Sequence, residues 1–297
     1  MSKEAAARIA GLMEGLEQQG YVADEALATV LYLVLTLRRP LLVEGDAGVG
    51  KTEIAYALAG HLDTELIRLQ CYEGLDVHSA VYEWNYPRQL LALKLWEQSD
   101  VPLEERERQL FSETYLLARP LLKAIQAREQ APVLLIDEID RADEEFEAFL
   151  LELLSAFQIS IPELGTIRAR HIPYVVLTSN RTRELSDALK RRCLYYWLDY
   201  PDAAKELQII RKRLPDIETD LAHQVVRFVQ ALRQQRLHKI PGIAETLDWA
   251  RALIALGVRR IDEAVVARTA GCLLKSAEDL EHLRNHQLED LLAHLPT

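Results

Sequence analysis

The chain has 297 residues, 49% hydrophobic and 27% charged, which is the mix of an ordinary folded protein and long enough for one large unit or two smaller ones. A formal net charge of −11 excludes a broadly basic, phosphate-binding surface and leaves room only for a local basic channel, so no nucleic-acid partner is expected. Cys71, Cys193 and Cys272 are too scattered for a zinc ribbon or a disulfide framework, and no apolar run reaches the ~20 residues that cross a bilayer. A cytoplasmic protein without export signal or membrane span is expected.

In chain order, residues 2–36 predict two helices broken at "QQGYVAD". "RRPLLVEG" then turns to a short apolar strand and "KTEIAYALAGHL" to a helix, with "ELIRLQC" as the next strand. "YEGLDVHSAVYEWNYPRQLLALKLWEQ" reads as an aromatic-rich loop entering a helix. In it Tyr82, Trp84 and Tyr86 alternate, either as an insertion packed on the core or as a loop that grips a substrate. The charged stretch "SDVPLEERERQL" predicts a solvent-facing insertion or flexible loop, and "ARPLLKAIQAREQ" a helix. "APVLLIDEID" is a buried strand ending in acids, followed by the amphipathic helix "DEEFEAFLLELLSAF". "FQISIPELGTIRAR" predicts two strands around a turn at 163–165, and "IPYVVLTSN" a further strand. Beyond residue 201 only helices are indicated.

Between the first strand and its helix, "GDAGVGKT" fits the P-loop pattern: Gly45, Asp46, Ala47, Gly48 and Val49, then Gly50, Lys51 and Thr52, with Glu53 next on the helix. Such a turn points backbone N–H groups at phosphates, aided by the positive helix end. Lys51 then reaches the β and γ phosphates of ATP, and the Thr52 hydroxyl holds Mg2+. In "VLLIDEID", Asp137 is placed to hold the metal and Glu138 to polarise an attacking water, which makes phosphoryl transfer to water the leading chemistry. Asn180 ends the "VVLTSN" strand, where it orients the water or touches the γ-phosphate, or simply forms a turn. Arg191 and Arg192, in the last turn of "SDALKRRC", serve either the helix dipole or a neighbouring subunit's nucleotide. His282 and His286 stand four apart near His294, without a complete metal-ligand set.

The P-loop, "LLIDEID", "TSN", "ALKRRC" and the helical tail, in this order over residues 25–260, resemble an AAA+ ATPase, in particular the MoxR group. The hairpin "FQISIPELGTIRA", "QCYEGLDVHSAVYEWNYPRQLL" and "DEIDRADEEFEAFLLELL" are similar to the branch of CoxD-type proteins. The resemblance implies an αβα nucleotide-binding domain with a mostly parallel five-stranded sheet over 1–200, and a helical lid over 201–297. It makes Asn180 the first sensor and Arg192, with Arg191 beside it, the arginine finger. It further implies a homo-oligomer, a hexameric ring, acting with a von Willebrand A-domain partner on a client metalloenzyme. For the CoxD branch that client is a molybdenum enzyme such as carbon monoxide dehydrogenase. One place departs: where the family's second sensor is usually an arginine, Ala244 and Glu245 stand, and Arg251 is two turns away. Two other readings are an ATP-binding assembly scaffold with little turnover and a DNA-remodelling motor.

Overall fold

A computed structural model of the chain describes residues 2–96, 102–284 and 288–293. Two helices come first, α1 (Lys3–Gln18), started by the Ser2 hydroxyl accepting from the Ala5 N–H, and α2 (Glu25–Leu37). Strand β1 (Leu41–Glu44) leads through the glycine turn into α3 (Lys51–His61), and β2 (Leu66–Gln70) follows. An inserted region comprises α4 (Val77–Val81), β3 (Tyr82–Trp84), α5 (Tyr86–Trp96), α6 (Leu103–Leu110) and β4 (Leu116–Ala118). Next come α7 (Pro120–Ile125), β5 (Val133–Asp137), α8 (Glu144–Ala156), the hairpin β6 (Gln158–Ile161) and β7 (Gly165–Arg168), and β8 (Tyr174–Ser179). After α9 (Asp187–Arg192) and β9 (Leu194–Trp197) only helices remain: α10 (Ala203–Arg213), α11 (Thr219–Arg233), α12 (Ile243–Ala255), α13 (Glu263–Thr269), α14 (Ala277–His282) and α15 (Leu288–Ala293).

The chain divides into two compact units. One, Ala26–Glu44 with Leu58–Tyr196, contains a five-stranded sheet in the order β2-β5-β8-β1-β9. Its strands run parallel, with Gln70 opposite Asp137, Ile136 opposite Leu177 and Glu44 opposite Ser179. That register brings the C-terminal ends of four strands to one edge, where open α/β sheets collect their ligands. β1 and β5 are buried throughout, because helices flank both faces of the sheet and leave no position for a polar alternation. The core joins Leu42, Ile67, Leu134 and Leu177 of the strands to Leu121 and Leu122 of α7 and Phe146 of α8. Each such side chain stabilises by about 1.5–3 kcal/mol on burial.

In the insertion, β3 pairs antiparallel with β4, Trp84 opposite Leu116. Trp84 is buried and meets the Phe111 ring edge-on at 5.4 Å, so this member of the aromatic alternation packs on the core; Tyr86 stays exposed and opens α5. The loop expected over "SDVPLEERERQL" is, within its described part, the helix α6. No residue of α6 is buried, and Glu105 bonds both Arg108 and Gln109 one turn on. Local i, i+3 and i, i+4 pairs sustain a helix that hydrophobic periodicity does not announce. Residues 97–101 of that stretch lie outside the described residues. The expected helix "ARPLLKAIQAREQ" is short, six residues from Pro120, since β4 ends immediately before it.

The other unit comprises Met1–Glu25, Gly45–Ala57 and Trp197–Thr297. Its core gathers Phe228, Leu232, Trp249, Leu253 and Val266, with the Phe228 and Trp249 rings 5.0 Å apart. Asp202, Asp262 and Ser276 cap α10, α13 and α14. α1 belongs to this unit: Glu17 pairs with Lys212 at 3.1 Å, and Asp24 with Lys205 at 2.8 Å. Among the described residues no helix is long and apolar enough to cross a membrane.

Candidate functional site

The glycine turn is built inside the helical unit. Gly45 has no room for a side chain, since a Cβ there would lie 2.2 Å from the backbone oxygen of Leu198. Gly48, at φ +79°, backs onto Gly242, whose own Cβ would lie 2.7 Å from the Gly48 carbonyl. The Gly48 carbonyl accepts from the Ala244 N–H at 3.3 Å, and Glu53 is ion-paired with Arg213. Asp46 is hydrogen-bonded by the phenol of Tyr200, whose pKa burial and then the Asp46 charge push up to about 12. Lys51 is buried, its ammonium donating to the carbonyls of Gly45 at 2.8 Å and Asp46 at 2.7 Å. A Gly45→Ala variant is expected to lose at least tenfold in nucleotide affinity, read by fluorescence titration, because the backbone contact at Leu198 cannot yield without moving the turn; unchanged affinity and melting would contradict this.

The two acids and the asparagine come together in the sheet unit. Asp137 is buried at the end of β5, and its Oδ1 accepts from the Thr178 hydroxyl of β8 at 2.5 Å. Its Oδ2 accepts from Arg68 of β2, Nη2 at 2.6 Å and Nε at 3.1 Å. Glu138 takes a left-handed backbone, φ 55°, fixed by its N–H donating to Thr178 Oγ1 at 2.9 Å, while its carboxylate pairs with Arg141 at 2.8 Å. Asp140 reaches across to accept from the backbone N–H groups of Asn180 at 3.2 Å and Thr182 at 2.8 Å. Thr178 therefore links Asp137 to the Glu138 backbone, and Asp140 anchors the Asn180 backbone, both at the C-terminal edge of β5 and β8. Taken unit by unit, the glycine turn of the helical unit opens a helix as a phosphate requires and carries the Thr52 hydroxyl, while the sheet unit offers the Asp137 carboxylate; each is a hard oxygen donor of the kind Mg2+ takes.

Arg191 and Arg192 end α9, which Ser186 caps at its start through the Leu189 N–H. Arg192 bonds the Leu151 carbonyl and the Ser155 hydroxyl of its own chain's α8. Arg39 holds the same helix end, donating to the carbonyls of Arg191 at 2.8 Å and Arg192 at 3.3 Å. Arg39, Arg68, Asp140 and Thr178 all shape the site, yet nothing in the sequence singled them out, for their partners lie 40 or more residues away. At the place of the second sensor, Glu245 accepts from the Gly242 N–H at 3.0 Å, and Arg251 pairs with Asp248 at 3.0 Å. Arg233 of α11, its side chain 6% exposed, is also unremarked in the sequence.

Cys71 and Cys193 are buried, and both thiols are pushed up to about 12, by burial at each and, at Cys71, also by the charges of Asp137, Asp140 and Glu138. At pH 8 only about one part in 10⁴ of either is thiolate. Both are expected to resist a thiol reagent in the folded protein and react on denaturation; rapid modification before unfolding would contradict it. Among the described residues no group of three His, Cys, Asp or Glu forms a metal cage, and His286 and His294 lie outside them.

A parallel sheet whose first strand runs through a P-loop into a helix, with acids at the end of β5, one strand beyond β1's neighbour β8, defines a P-loop nucleoside triphosphatase. The family model for "ATPase family associated with various cellular activities (AAA)" matches residues 41–196, and the chain belongs to this family of nucleotide-binding ATPases. The gas vesicle ATPase GvpN of Haloferax mediterranei is similar, 24% identical over 289 residues that cover 92% of this chain and 79% of that one. The denitrification regulatory protein NirQ of Stutzerimonas stutzeri is 26% identical over 241 residues, 81% and 78% of the two chains. A solved structure of a RuvB point variant from Thermotoga maritima matches with a TM-score of 0.52 at 20% identity, over 95% of this chain and 84% of that one, a likeness of fold alone.

Proposed function

We propose that this ATPase works as a MoxR-type remodelling machine of the CoxD branch, a cytoplasmic hexameric ring that spends ATP on maturing a client metalloenzyme with a von Willebrand A-domain partner. In this reading residues 1–200 bind the nucleotide and 201–297 form the lid. Gly45 to Glu53 cradle Mg·ATP, Thr52 and Asp137 hold Mg2+, Glu138 polarises the water and Asn180 senses the γ-phosphate. The observation that carries it is the cluster in which Thr178 ties Asp137 and Glu138 together while Asp140 holds Asn180. NirQ, by name a regulatory protein of denitrification, supports a regulatory task. A molybdenum client such as carbon monoxide dehydrogenase rests on sequence resemblance.

The finger role of Arg191 and Arg192 requires a second copy. Since Arg192 is engaged by its own α8, assembly must draw it off those partners or use the exposed Arg191 instead. Light scattering on a sizing column with ATP and Mg2+ tests the ring: six copies of the 33.9 kDa chain are expected. A monomer at all concentrations would end the ring reading. Arg191→Ala and Arg192→Ala are then compared for loss of hydrolysis at intact nucleotide affinity, where a finger is worth ~10³–10⁵ in rate. Proteins co-purifying with a hydrolysis-blocked chain would name the client.

A further inference from the structure

We propose that Arg68 is the resident counter-cation of Asp137, holding the carboxylate while the metal is absent and competing with the divalent cation for the same oxygen, so that it sets the Mg2+ concentration at which the site fills. The inference rests on reading Asp137 as the metal-bearing acid. Arg68 lies on β2 opposite Leu135 of β5, two residues before Gln70, which stands opposite Asp137. Residues two apart on a strand share a face, so the Arg68 side chain runs diagonally toward Asp137, a span within reach of an arginine. There Nη2 and Nε converge on one oxygen, Oδ2, at 2.6 and 3.1 Å, while Thr178 occupies Oδ1.

The two partners differ in freedom. The Asp137 side chain is 4% exposed and fixed by β5 and Thr178, whereas the Arg68 side chain is 44% exposed, so the guanidinium is the member with water into which to withdraw. A buried carboxylate without a cation is strongly unfavourable, and the Arg68 guanidinium supplies one to Asp137. Two cations on one carboxylate repel each other, so a metal at Asp137 and the guanidinium at Oδ2 disfavour one another reciprocally. Gln70, whose side-chain oxygen accepts from the same Nη2, offers the guanidinium a neighbouring partner off Oδ2. Arg68 is in this account a positioning residue, acting through Asp137.

The test titrates Mn2+ into the full-length protein with ADP and follows free Mn2+ by electron paramagnetic resonance, comparing wild type with Arg68→Gln, Arg68→Lys and Asp137→Asn. Arg68→Gln is expected to bind Mn2+ about tenfold more tightly, a typical size for a coupling between neighbouring sites. Arg68→Lys, which keeps the charge but not the fork, falls between the two. Without metal, Arg68→Gln also melts below wild type, and Mn2+ with ADP closes the gap. Equal or weaker Mn2+ binding by Arg68→Gln, or by Arg68→Lys should the glutamine variant not fold, overturns the proposal. Asp137→Asn separates the two failures. If it binds Mn2+ as wild type does, the metal role of Asp137 falls; if it loses the cation while Arg68→Gln changes nothing, only the competition falls.

Discussion

Glu138→Gln is expected to lower steady-state phosphate release by ~10²–10⁴-fold while leaving ATP binding intact, as loss of a general base does. The substitution keeps shape and hydrogen-bonding reach but removes the charge that polarises water. Nothing else need move, because the left-handed backbone at Glu138 is fixed by its N–H on Thr178 and not by its side chain. The carboxylate leans on Arg141, one turn away and half exposed, a pair that water screens and a bound nucleotide can displace. Phosphate release within twofold of wild type would show that Glu138 does not activate the water. Isothermal titration with ATP on the same preparation separates lost hydrolysis from lost binding.

The largest stability effect is expected at Arg233. Its guanidinium is forked onto both oxygens of Glu206, at 2.7 and 2.8 Å, and also donates to the Pro241 carbonyl at 2.9 Å and the Thr246 hydroxyl at 3.2 Å. Glu206 is completely buried and takes a further bond from Gln230 at 2.7 Å. Arg233→Met leaves that carboxylate without its cation, a loss of about 3–5 kcal/mol when one partner of a buried pair is removed. The double variant Arg233→Met with Glu206→Leu is expected to recover a large part of it, since well-packed apolar pairs often replace buried ion pairs at little cost. Chemical denaturation reads both. A single variant as stable as wild type would mean that Glu206 finds another partner. Because Arg233 also braces Pro241 and Thr246 on either side of Gly242, which backs onto Gly48, the single variant should weaken nucleotide binding as well.

Local signals in the sequence reached far. Gly45, Gly50, Lys51 and Thr52 stand at fixed spacing between an apolar run and a helix, and the fully buried β1 and β5 read as strands because both faces are covered. The strand signals and their end near residue 200 were local too, and the five-stranded parallel sheet and helical C-terminal region are those that the family resemblance implied. The misreadings lie where pattern and structure part. α6 is helical through charge pairs without an apolar stripe, and β4 exists only because β3, more than 30 residues earlier, supplies its hydrogen bonds.

By itself, then, the sequence determined the nucleotide loop, the acids at a strand end, the order of the elements and the ATPase family, for each is written in residues a few positions apart. Tertiary structure alone decided which groups those residues answer to: Arg68 and Thr178 on Asp137, Asp140 under Asn180, Arg39 at the end of α9, and Arg233 on Glu206. Hydrogen bonds and ion pairs act over about 3 Å in space and take no account of distance along the chain, so no local pattern records them.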